Sequence, residues 1–102
     1  MEADLLGERK ALIGLCLYAL DRARSAGVAE RLEAGLAEVG VRAVRPDGEP
    51  FDPFVHEAGG AEPTDDPALV GRIAATEAPG FTDRGQSLRA PVVLVYVAKD
   101  SS

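Results

Sequence analysis

All seven prolines of this 102-residue chain lie between Pro46 and Pro91. Proline removes a backbone donor and fixes φ, so helix interiors and central strands exclude it. That distribution divides the chain at Gly40. The first forty residues are rich in Ala, Leu, Glu and Arg and are free to be helical. The remainder is punctuated by Pro and Gly and carries β-branched runs, the pattern of strands and turns. The expected class is α+β: a helical hairpin over residues 1–40, a linker over 41–50, and a small, mostly antiparallel β domain over 51–102.

The first helix is expected over residues 3–25. Leu5, Leu12, Cys16, Ala19 and Ala23 form one stripe, and Leu6, Ile13, Leu17 and Leu20 a second beside it. Leu15 makes the middle apolar nearly all round, whereas a surface helix needs only one apolar face. Gly27 suits the left-handed position past a helix end. The second helix is expected over residues 28–39, with Val28, Leu32, Leu36 and Val39 as a single stripe and Gly40 as its stop. One hairpin cannot bury both stripes of the first helix, but a symmetric dimer forming a four-helix bundle does. Leu6, Ile13, Leu17, Leu20, Leu32 and Leu36 are the expected dimer interface.

In the second half, Arg45 to Pro50 is rich in turn formers. Strands are expected over residues 55–61, 69–77 and 87–98. The last contains Val92-Val93-Leu94-Val95-Tyr96-Val97 and has Pro91 near its start. Asp83-Arg84-Gly85 reads as the hairpin turn before it.

Eleven Lys and Arg against seventeen Asp and Glu give a net charge of −6. Such a balance opposes phosphate neutralisation, so no nucleic acid is expected as a partner, and it opposes a polybasic membrane patch. The longest uncharged run, Ala11 to Leu20, is half of the ~20 residues a membrane span needs. The acidic N-terminus, with Glu2 and Asp4, is unlike a signal peptide and points to the cytoplasm. One Cys and one His exclude a disulfide within the chain and a thiolate zinc site. Cys16 falls on an apolar stripe and reads as a small buried hydrophobe. Asp65-Asp66 reads as a solvated turn. No glycine pattern makes a phosphate-cradling loop, and no serine sits in a nucleophile elbow. The expectation is therefore a binding protein that is not an enzyme, with no cofactor, no metal and no nucleotide bound directly.

The segment Gly48-Glu49-Pro50-Phe51-Asp52-Pro53-Phe54-Val55-His56-Glu57-Ala58 resembles the GxPFDPxxHEA hallmark of the GrpE family. Gly80-Phe81, then Gly85 and Leu88-Arg89-Ala90-Pro91, with Val97-Ala98-Lys99 closing the last strand, are similar to its second signature. Leu20-Asp21-Arg22-Ala23 and Gly40-Val41 resemble two further positions in the family's helices, and the four occur in family order over residues 13–99. Where the family has an apolar pair after the HEA step, this chain has Gly59-Gly60.

The resemblance implies a dimeric bundle carrying one β domain per subunit. It implies a nucleotide exchange factor, a co-chaperone that binds the ATPase domain of a DnaK-type chaperone and promotes ADP release. The start of the chain near the bundle points to a short form without the family's long coiled-coil stalk. Phe51, Pro53, His56, Phe81, Arg89 and Val97 are the partner-binding residues so implied. Structural roles stand beside these: Phe51 and Pro53 as pins for the linker, His56 as a hydrogen-bonded structural histidine, and Arg89 as a cross-strand surface charge. The alternative function is a dimeric adaptor that keeps the fold without exchange activity.

Overall fold

The computed structural model describes residues 2–99. Two helices precede six strands in an α+β chain: α1 (Glu2–Asp21), α2 (Ala26–Glu38), β1 (Val41–Val44), β2 (Glu57–Thr64), β3 (Ile73–Ala78), β4 (Gly80–Asp83), β5 (Gln86–Arg89) and β6 (Val92–Ala98). Two compact units divide between Arg42 and Ala43.

In the helical unit, α1 ends four residues before the expected limit. Ser25 is not its last residue but the N-cap of α2: its backbone is extended and its Oγ accepts the Val28 N–H at 3.0 Å. A capping serine satisfies one of the donors that a helix start leaves unpaired. Gly27 consequently lies inside α2 rather than in a left-handed turn. Gly40 does take the left-handed conformation, with φ 93°, and its N–H donates to Ala37 C=O. At the same end, Arg9 Nη2 donates to Val39 C=O at 2.7 Å, occupying a carbonyl that the end of α2 leaves without a helical partner.

The hairpin buries a different part of α1 than the stripe count implied. Ile13 and Leu36 are its two buried apolar side chains, and Leu17, Leu20 and Leu32 are half-buried. The second stripe of α1 is thus largely covered by α2 within one chain, with Leu6 exposed at its end. The side chains left in solvent belong mainly to the other flank, Leu5 (64% exposed), Leu12 (63%) and Leu15 (64%). α2 packs on the α1 face centred at Ile13, with Leu5 and Leu12 about a quarter turn from that face and Leu15 nearly opposite it.

The β unit consists of two three-stranded sheets, ordered β1-β4-β5 and β2-β6-β3. The run 87–98 is two strands, not one: β5 ends at Arg89, β6 starts at Val92, and they belong to different sheets. Pro91 lies at this crossing, immediately before the start of β6, where its missing N–H leaves no ladder short of a donor. β3 is antiparallel to β6, but β2 runs parallel to it, which joins two strands far apart in sequence. β1 and β4, four residues each, carried too short a pattern to be anticipated. The expected turn is present: Arg84 (φ 52°) and Gly85 (φ 87°) are both left-handed, as a two-residue turn between antiparallel β4 and β5 requires.

The end of the expected linker, residues 48–50, and Phe51 after it pair with Gly71–Ile73 at the start of β3. Gly48 N–H donates to Ile73 C=O, Ile73 N–H to Glu49 C=O, and Phe51 N–H to Gly71 C=O, at 2.8–2.9 Å. The opposite edge is β2, where Pro63 interrupts the run of exposed donors. Ile73, Phe81 and Val93 form the buried centre of the unit.

Of the chain's three passages between the sheets, those at Pro79-Gly80 (β3 to β4) and at Ala90-Pro91 (β5 to β6) touch. A Cβ on Gly80 would lie 2.6 Å from both Cδ and N of Pro91 and 2.8 Å from Arg89 C=O. Arg89 Nε donates to Pro79 C=O at 3.2 Å across the same junction. Backbone cannot yield as a side-chain tip can. Gly80→Ala should therefore cost roughly 1–3 kcal/mol, as overpacking does elsewhere. Urea unfolding followed by Tyr fluorescence should show the midpoint fall, while helix content in the native baseline stays unchanged.

Candidate functional site

The segment Asp52–His56 folds into a single tight turn built on Asp52. Asp52 Oδ1 accepts the Phe54 N–H at 3.0 Å, and Asp52 C=O accepts the N–H groups of Val55 and His56. Asp52 N–H donates to His56 Nδ1 at 3.0 Å. The side-chain bond is that of a helix N-cap, and Pro53 stands where a first helical residue would, with φ already suitable. The imidazole closes the turn from the other side. To accept at Nδ1 it must be neutral and carry its proton on Nε2.

Phe51 holds the turn to the sheet. Its N–H is paired to Gly71, its side chain is half-buried, and its ring centroid lies 5.9 Å from that of His56. Each of Phe51, Asp52, Pro53 and His56 thus has a defined conformational part in the turn. The product is a rigid knuckle whose tip is Phe54, 95% exposed, with Val55 exposed beside it.

The second signature is the sheet-crossing junction. Phe81 is fully buried, so its side chain belongs to the core rather than to a surface. The guanidinium of Arg89, half-buried, lies 5.2 Å from the Phe81 ring centroid while its Nε reaches Pro79 C=O. Arg89 is therefore a clamp on the crossing as well as a cation near the surface. Glu57 N–H donates to Pro91 C=O at 2.9 Å, so the exit of the knuckle is fastened directly to the junction. Two segments more than twenty residues apart in sequence meet at one place.

Of the residues implied by the resemblance, Phe51, Pro53 and His56 form the knuckle, and Phe81 and Arg89 form the junction beside it. Val97 stands apart. It is exposed near the far end of β6, opposite Pro63, six residues beyond Pro91 and roughly 20 Å along a strand. Phe54 was missed. Spacing alone does not single it out, because Phe51 stands three residues before it and Ala58 four after. The Gly59-Gly60 pair also has a physical account. Cβ atoms there would lie 2.6 Å from Val92 Cγ1 and 2.9 Å from Leu94 Cδ2, so β6 side chains occupy the space that side chains on β2 would take.

A second surface lies on the helical unit. Leu5, Leu12, Ile13 and Cys16 of α1 and Leu36 and Val39 of α2 line an open apolar groove. Cys16 is half-buried in its wall. Among the described residues, no group of three or more His, Cys, Asp or Glu side chains is placed to hold a metal, and no helix is long and apolar enough to cross a membrane.

The exposed aromatic on its braced turn and the apolar groove on the helical hairpin are the candidate surfaces. No family model matches the chain. It is similar to Protein GrpE of Gloeothece citriformis (strain PCC 7424), with 40% identity over 74 residues, 72% of this chain. The chain spans 26% of that relative's length, about a quarter. The match supports the GrpE family.

Asp52→Ala removes the acceptor for Phe54 N–H and should cost about 1 kcal/mol, as loss of an N-cap does. Amide hydrogen exchange should show the Phe54–His56 amides losing protection while β6 amides keep theirs.

Proposed function

We propose that this protein is a GrpE-type nucleotide exchange factor. Its β unit binds the ATPase domain of a DnaK-type chaperone, and its hairpins pair to make a dimer. One observation carries the reading: the two segments that resemble the family's signatures are fastened to each other through Glu57 and Pro91. Identity at 40% over most of the chain supports it.

The chemistry is differential binding. A partner that grips the open form of a nucleotide cleft better than the closed form shifts the population toward open and lets nucleotide leave. By linkage, bound ADP weakens the partner's grip by the same factor. Moving the chaperone from about 1% to 99% open takes roughly 5.5 kcal/mol of differential affinity. No step requires a catalytic group on this chain.

Release of fluorescent ADP from a DnaK-type chaperone should accelerate at least tenfold at saturating protein. Binding without acceleration would instead support an adaptor, and would contradict exchange.

The dimer reading rests on the groove and on the flank of Leu5, Leu12 and Leu15 beside it. Each leucine transferred from water to an interface contributes about 2 kcal/mol. Leu12 is 63% exposed in the single chain, so a charge there does not harm the hairpin itself. At a dimer interface it is an unpaired buried charge. Sedimentation equilibrium should find a dimer for the wild type and a folded monomer of equal helix content for Leu12→Asp.

A further inference from the structure

We infer that Phe54 is the anchor of the β unit's partner surface, inserting into an apolar pocket with a basic rim on the chaperone's ATPase domain; this rests on the exchange-factor reading above. Phe54 is 95% exposed, so its ring contributes almost nothing to the fold that carries it. Yet its backbone is held in a turn closed by hydrogen bonds. Its own N–H is held by Asp52 Oδ1, and the residues on either side are closed by the Asp52 C=O and His56 Nδ1 bonds. A presented aromatic on a fixed backbone loses only its side-chain rotation on binding, which is the economical way to gain affinity. Aromatic residues in central, desolvated pockets dominate binding energy at protein interfaces. Val55, exposed beside it, extends the apolar contact.

Charge decides what kind of pocket this ring fits. Through the knuckle and its approach, residues 47–57 carry Asp47, Glu49, Asp52 and Glu57 and no Lys or Arg. Asp52 and Glu57, flanking the knuckle, are both exposed. An anionic membrane repels such a surface, and a second copy would set like charges against each other. A folded partner with Lys or Arg around an apolar pocket is complementary to it in both respects. Complementary rims accelerate encounter, and that acceleration fades with salt.

The test compares the wild type, Phe54→Ala and Phe54→Leu for binding to the isolated, nucleotide-free ATPase domain of a DnaK-type chaperone, by interferometry at low and high salt. Phe54→Ala should weaken binding tenfold or more, equivalent to about 1.4 kcal/mol per decade, with Phe54→Leu between it and the wild type. Both variants should keep the wild-type urea midpoint, because the ring is in solvent. Wild-type association should slow as salt rises. Equal affinity for wild type and Phe54→Ala overturns the anchor and leaves the exchange reading intact. Failure of the wild type to bind overturns both. A lowered urea midpoint in Phe54→Ala also counts against the anchor, since it assigns the ring a part in the fold.

Discussion

The closeness of Gly80 to Pro91 is the constraint on which the β unit depends. Within a few ångströms of each other β3 passes into β4 at Pro79-Gly80 and β5 passes into β6 at Ala90-Pro91, each strand changing sheet. The junction has no space for a Cβ at Gly80, and proline supplies the residue that needs no ladder donor. Arg89 ties the crossing with its bond to Pro79 and lies over Phe81, the largest fully buried side chain. Three features that a family comparison treats as a signature are thus one mechanical joint.

The joint also positions the knuckle. Glu57 leaves the Asp52 turn and enters β2 by bonding Pro91, while Phe51 enters the turn by bonding Gly71 beside β3. The turn is therefore held at both ends by the sheet that the crossing organises. Most residues of the first signature act on conformation, and the side chain they present is Phe54. A resemblance that names Phe51, Pro53 and His56 as partner-binding residues is compatible with this arrangement through what those residues support.

Much of the architecture was legible because it depends on residues with steric requirements of their own. The proline distribution separated helices from strands, Gly40 ended α2, and Arg84-Gly85 made its turn. What was illegible depended on competition between neighbours. Gly27 looked like a terminator, but Ser25 two residues earlier captured the helix start. The apolar run after Pro91 was read together with Ser87 to Arg89, since alternation cannot show that a proline moves the chain into another sheet. Both stripes of α1 are apolar, and the packing of Leu36 against Ile13 covers the one beginning at Leu6. Phe54 escaped because an exposed aromatic is distinguished by what it fails to touch.

The central claim is that the partner surface is the braced knuckle of the β unit. Hydrogen–deuterium exchange of the complex with a DnaK-type ATPase domain tests it most directly. The account predicts that binding adds protection to the amides of residues 51–57 while those of the α1–α2 hairpin exchange as in the free protein. Added protection confined to the hairpin, with residues 51–57 unchanged, would contradict it.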